Sequence, residues 1–257
     1  MLVLLPPSET KRDGGDGGTL DLDSLSYPGL TGPRAAALHA TSALALDPNA
    51  MALALRLGPT QRAELERNRS ITQSPVMAAL DRYTGVLYDA LDAASLAPEA
   101  RRLARSSVVI HSALFGLLGA GDPIPAYRLS HDSRLPGLKL RSLWAASIGA
   151  ELDRHNGLIL DLRSEAYVAL GPVPVRPEGY FLRVVAAGAD GRKRALNHFN
   201  KKGKGEFVRA LLEAGQDHAD AASLIAWATG SGIRLALGAP GELELELEVE
   251  QVVAAKR

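Results

Sequence analysis

The chain opens with four consecutive aliphatic residues, Leu2-Val3-Leu4-Leu5, and the run stops at Pro6-Pro7. A strand with one wetted face alternates polar and apolar residues, so an unbroken aliphatic strand needs cover on both faces. Residues 1 to 5 are therefore expected inside a sheet. A second apolar run, Leu158 to Leu162, has the same character.

Alternation and apolar runs place strands near 1 to 5, 107 to 111, 158 to 162, 180 to 187, 195 to 199, 233 to 237 and 242 to 250. Ala- and Leu-rich stretches between them predict helices at 34 to 46, 50 to 57, 60 to 68, 75 to 80, 98 to 105, 143 to 154, 203 to 214 and 218 to 228. Pro98 suits a first helical turn, where the missing donor is tolerated. Hairpin-like and crossover connections mix along the chain. The expected fold is α/β of the mixed α+β kind, with a mixed sheet flanked by helices in a single compact domain over residues 1 to 257. The last strand, from Glu242 to Glu250, alternates Glu with Leu or Val, which sets five carboxylates on one face. They are expected to form a solvated face that discourages edge pairing.

There is no cysteine, so thiol redox sensing and thiolate metal sites are excluded. The six histidines are scattered without paired metal spacing, and neither a metal nor a cofactor is expected. The longest uncharged stretch, Ser106 to Gly121, spans sixteen residues and falls short of the roughly 20 that cross a bilayer. The five-residue apolar start lacks a preceding positive charge. A cytoplasmic protein without membrane association is expected. Phosphate-loop, Rossmann and serine-elbow signatures are all missing. Leu118-Gly119-Ala120-Gly121 resembles the glycine turn of a helix-hairpin-helix, but Asp122, Pro123 and Pro125 favour a plain turn.

Formal charge is zero overall, yet residues 176 to 209 carry nine basic groups against three acidic, and 210 to 257 carry three against eight. An anion-binding surface should centre on the first of these segments. Three clusters stand out. Pro6-Pro7-Ser8-Glu9-Thr10-Lys11 follows the opening strand, where α/β proteins present ligand-binding side chains. Tyr127 to Arg134 holds Arg128 and Arg134, whose planar guanidinium groups suit phosphate or carboxylate. Arg192 to Gly205 holds Arg192, Lys193, Arg194, Lys201, Lys202 and Lys204 with no acidic residue. There Gly203 and Gly205 are expected to let a phosphate approach the backbone ahead of a helix starting near Glu206. A weaker candidate, Arg163 to Tyr167, follows the strand at 158 to 162.

In order along the chain, these segments resemble the pattern of the YaaA family of peroxide-stress proteins. The residues that carry the resemblance are Leu4 to Lys11, Tyr83-Thr84-Gly85, Ser112 to Leu118, Pro125 to Leu129, Leu143-Trp144, Ser164 to Tyr167 and Asn200 to Gly205. The resemblance implies a basic cleft, DNA binding, protection of DNA from peroxide damage and lowered free intracellular iron. Carried over, Lys11, Arg128, Lys201, Lys202 and Lys204 are the cleft cations, with Ser8, Glu165 and Tyr167 as polar neighbours. DNA binding would be weak and non-specific, because no recognition helix rich in Arg, Asn and Gln is apparent. The alternative is an enzyme on a small anionic substrate, a nucleotide or activated carboxylate, with Glu165, Tyr167 or His131 as acid or base. Shape separates the two. A groove about 20 Å wide suits a duplex, and a pocket of roughly 300 to 1,000 Å³ suits a small ligand.

Overall fold

The computed structural model describes residues 1–58, 61, 63–187, 193–195 and 198–247, with backbone alone at 63, 187, 193–195, 198 and 199. Its strands are β1 (Leu2–Leu5), β2 (Met77–Ala78), β3 (Val108–Ser112), β4 (Gly116–Gly119), β5 (Pro123–Ile124), β6 (Ile159–Asp161), β7 (Gly179–Ala187), β8 (Lys193–Ala195), β9 (Arg234–Leu237) and β10 (Glu242–Leu247). The helices are α1 (Thr31–Leu44), α2 (Pro48–Ala54), α3 (Ala63–Arg69), α4 (Ala79–Arg82), α5 (Val86–Leu91), α6 (Pro98–Ser107), α7 (Leu140–Asp153), α8 (Glu165–Val168), α9 (His198–Ala214) and α10 (Ala221–Gly230).

The main sheet runs β4-β3-β1-β6-β7-β10-β9, with β8 attached to β7, while β2 and β5 form a separate pair. Neighbours from β3 through β10 are parallel, and β4, β8 and β9 are antiparallel additions. This is the expected mixed sheet. Strand β1 lies between β3 and β6, and Leu2 to Leu5 are all buried, as an unbroken aliphatic run requires. Burying each of those side chains contributes about 1.5–3 kcal/mol. A single core joins the sheet to the helices on it, from Leu4 and Ile110 to Trp144 and Leu211. Among the described residues no helix is long and apolar enough to cross a membrane.

From β1 the chain crosses to β3 on one side; from β6 it continues to β7 on the other. The connections leaving β1 and β6 thus diverge, which opens a crevice at the carboxyl ends of these adjacent strands.

Several local expectations are corrected. The strand expected at 195 to 199 gives way at its far end to α9, which begins at His198 rather than near 203 or 206. Gly203 and Gly205 therefore lie inside a helix. A β-carbon on Gly205 would overlap the Leu87 carbonyl of α5, and one on Gly203 would press into Leu247 of β10, so these glycines serve close packing. The stretch 75 to 80 divides between β2 and α4 instead of forming one helix. Strand β10 is no edge: it sits between β7 and β9, with Glu242 paired to Arg183 and Glu246 to Arg234. The Gly119–Asp122 segment is a plain turn between β4 and β5, closed by the Asp122 amide on the Gly119 carbonyl at 3.1 Å. Pro98 stands at the start of α6.

Candidate functional site

The crevice at the ends of β1 and β6 is a cavity of about 510 Å³. One wall is the Pro6–Thr10 turn that leaves β1; the base is Leu162, Ser164 and Tyr167, just beyond β6. Thr84 to Tyr88, at the start of α5, and Leu129 to His131 form the flanks. Asn200, Lys201 and Lys204 close the side formed by α9.

The turn after β1 has no regular structure, so side chains hold it. Tyr88 donates to the Pro6 carbonyl at 2.7 Å. The Lys11 ammonium reaches the carbonyls of Ser8 and Glu9 at 3.0 and 3.3 Å. Thr84 donates to Thr10 Oγ1 at 3.0 Å, which fastens the turn to the segment ahead of α5. On the opposite flank, Asn68 clamps the Arg128 backbone, donating to its carbonyl at 2.7 Å and accepting from its amide at 2.8 Å.

Beneath the site, Arg163 is fully buried and grips Asp161 with two nitrogens, at 2.6 and 2.8 Å. Its remaining nitrogen, Nη1, meets both His111 Nδ1 and the Gly171 carbonyl, each at 2.8 Å. Since a guanidinium only donates, Nδ1 accepts and the His111 proton sits on Nε2. Burial, and then the Arg163 charge, hold His111 well below the usual histidine range, so the ring is neutral. Its ring meets Tyr167 edge-on at 5.6 Å, and His131 meets the same tyrosine at 5.4 Å. Tyr167 is thus held between a buried imidazole and one at the cavity.

The residues singled out from the sequence are placed as follows. Ser8, His131, Tyr167, Lys201 and Lys204 line the cavity. Lys11 is buried behind the turn, with its ammonium 4.1 Å from the Tyr127 ring centre. Burial, reinforced by Arg128, pulls Lys11 down to about 7. Arg128 is also buried, and its guanidinium meets Glu9 at 2.6 Å. Lys204 donates to the Leu162 carbonyl at 3.0 Å, and burial lowers it to about 8. Lys202 is exposed and pairs with Glu206 at 3.4 Å. Glu165 is exposed near Arg183, and Arg134 is exposed away from the cavity. Arg192 and the side chains of Lys193 and Arg194 lie outside the described residues. Among the described residues no three of His, Asp or Glu gather to hold a metal ion.

Glu9 and Asn200 line the cavity but were read from sequence only as parts of longer motifs. Asn200 lines the cavity, and its Oδ1 is buried without a hydrogen-bond partner. Thr84 entered from sequence only within the Tyr83-Thr84-Gly85 segment of the resemblance, and Tyr88, in the short helix that follows, carried no sequence signal.

The family model described as Peroxide stress protein YaaA matches residues 1–229 of the chain. A UPF0246 protein of Corynebacterium glutamicum (strain R) is 41% identical over 239 residues, covering 91% of this chain and 94% of the relative. A UPF0246 protein of Streptomyces coelicolor is 39% identical over 250 residues, or 94% of each chain. A more distant UPF0246 protein, from Lactobacillus delbrueckii subsp. bulgaricus, is 30% identical over 165 residues, covering 63% of this chain and 67% of its own.

Proposed function

Because the chain belongs to the peroxide stress protein YaaA family, we propose that its part in the peroxide response runs through a small anionic ligand held at the carboxyl ends of β1 and β6. The observation that carries this reading is the cavity of about 510 Å³, which falls within the roughly 300–1,000 Å³ range of small-molecule pockets. Two lysines of α9 reach it from one side. Lys201 sits at the rim, within the first turn of α9, where the helix dipole adds to its charge. Lys204 lies deeper, on the cavity wall. Apolar and aromatic groups, among them Pro7, Leu129, Tyr88 and Tyr167, face the rest of the space. A nucleotide or an activated carboxylate has both parts this lining asks for, an anionic head and a flat or apolar body. Asn200 would meet its polar edge.

If the site is catalytic, the proton-carrying groups within reach are Tyr167, His131 and Lys204. With a pKa of about 8, Lys204 is partly neutral under mild alkaline conditions and suits acid or base work. Glu165 stands outside the cavity lining, so it takes the weaker role of rim charge.

A second reading, weak and non-specific DNA binding, is favoured by Lys201 and Lys202, both exposed on the first turns of α9. Protection of DNA and lowered free iron are the family-level effects to which either reading would lead. Titration with AMP, inorganic phosphate and a DNA duplex over a salt series decides between them. One AMP per chain, with affinity lost in Lys204→Met, supports the small ligand. Duplex binding whose salt slope flattens by about one unit in each of Lys201→Ala and Lys202→Ala, with no AMP bound, puts DNA first.

A further inference from the structure

We infer that the Arg128 guanidinium is a second anion subsite of the cavity, occupied in this structure by the chain's own Glu9 carboxylate, which the phosphate or carboxylate of the ligand displaces. The inference rests on the small-ligand reading above. Glu9 lines the cavity, and Arg128 stands directly behind it. The Arg128 side chain is only 10% exposed, whereas that of Glu9 is 63% exposed. A carboxylate reaching in from open solvent thus covers a guanidinium that would otherwise face the ligand.

The contact is also incomplete. Glu9 meets Arg128 through one oxygen on one nitrogen, Oε2 on Nη2 at 2.6 Å. A guanidinium fork is built to hold two oxygens of one oxyanion side by side. No other hydrogen bond from this guanidinium is present among the described residues. A ligand oxyanion held by Lys201 or Lys204 at one end has an unfilled fork to meet at the other.

Displacement would leave the turn intact. The Glu9 carbonyl is held by Lys11, the neighbouring Ser8 carbonyl by the same ammonium, and Thr10 is fastened to Thr84. The Glu9 backbone therefore stays in place while its side chain changes rotamer toward water. The exposed Glu9 carboxylate gives up little in returning to water, and the incoming oxyanion takes its place on the buried guanidinium. Lys11 lies close enough to Arg128 to feel its charge, and Arg67 and Glu64 act on the same lysine.

Calorimetric titration of the full chain with inorganic phosphate and with AMP tests this, using Glu9→Gln, Arg128→Gln and the double variant. Glu9→Gln should tighten binding about five- to tenfold, and the gain should vanish when Arg128 is also replaced. Wild-type binding that Glu9→Gln leaves unchanged or weakens overturns the exchange and spares the cavity reading. A gain of equal size in the Arg128→Gln background shows a general charge effect and also overturns it. If neither wild type nor Glu9→Gln binds either probe, the cavity reading and the subsite fall together. Should Arg128→Gln fail to fold, Arg128→Lys in both Glu9 backgrounds supplies the same cycle, with a reduced gain expected.

Discussion

Beside β4 and beside the β2–β5 pair, Arg34 and Arg82 push their guanidinium groups into rings of backbone carbonyls; at the carboxyl ends of β1 and β6, Lys11 and Lys204 bring ammonium groups to the back and side of a cavity. Arg34 donates to the carbonyls of Phe115, Leu117 and Ser26 at 2.6 to 2.8 Å. Arg82 does the same for Ile124, Arg12 and Pro75. The side-chain hydrogen bonds of these two arginines among the described residues go to backbone carbonyls. Burial lowers Arg34 to about 10, which still leaves it charged at neutral pH. Comparable burial takes Lys11 to about 7 and Lys204 to about 8. The same physical penalty has opposite results because a guanidinium holds its proton and an ammonium can release it. Buried arginine serves here as a permanent fastener of loops, and buried lysine as a group that titrates.

The largest effect that could break this contrast is on stability. Arg34→Met strands the two buried carbonyls of Phe115 and Leu117 at about 1–3 kcal/mol each and gives up the part-buried one of Ser26, so a loss of about 2–6 kcal/mol is expected in urea denaturation. Lys204→Met strands one buried carbonyl, that of Leu162, and should cost about 1–3 kcal/mol, less than Arg34→Met. Equal losses would show that the two regions do the same work.

Next in size is the pH dependence of folding. A lysine with a folded pKa of about 7 or 8 and an unfolded one near 10.5 binds fewer protons folded than unfolded between those values. Stability should therefore rise with pH from about 7 toward 10, by up to ~1.4 kcal/mol per pH unit for each lysine. Below about 7 both states are protonated and these lysines contribute no slope. Denaturation midpoints at pH 7 and 9 measure the rise, and Lys11→Met should remove part of it while Arg34→Met leaves it in place.

Smaller still is the effect on the ligand. Affinity for AMP should fall severalfold as pH passes about 8 and Lys204 loses its charge, and Lys204→Arg should abolish that fall. The smallest change expected is for Lys202→Ala, whose exposed pair with Glu206 is worth no more than about 0.5 kcal/mol in stability. Its AMP affinity should stay at the wild-type value, since Lys202 lies outside the cavity lining.

What could be read in advance follows how local each determinant is. The Leu2–Leu5 run declared its buried place in the sheet because cover on both faces leaves no polar position. The Pro6–Lys11 turn was legible as a strand end, and His131, Tyr167, Lys201 and Lys204 were named residues that line the cavity. Gly203 and Gly205 misled, since glycine beside lysines reads as a place for phosphate, whereas contacts to Leu247 and Leu87 decide its use. Those partners are far off in the chain. Strand β10 misled for the same reason: its glutamates look solvated until Arg183 and Arg234 arrive from neighbouring strands. Helix α5, only six residues long, and strand β4, with glycine at both ends, were too short to show a period.

The contact at Gly205 bears on the width of the cavity in a way that charge does not. Helices α5 and α9 each supply one side of the cavity, and at Gly205 they touch through bare backbone against the Leu87 carbonyl. The spacing of those two sides is set by the absence of a side chain at Gly205, which itself lies outside the lining. The fold thus works like a caliper locked at one reading. On the small-ligand reading, ligands would be sorted by girth before any lysine meets them, and a single methyl group at position 205 would reset the gauge.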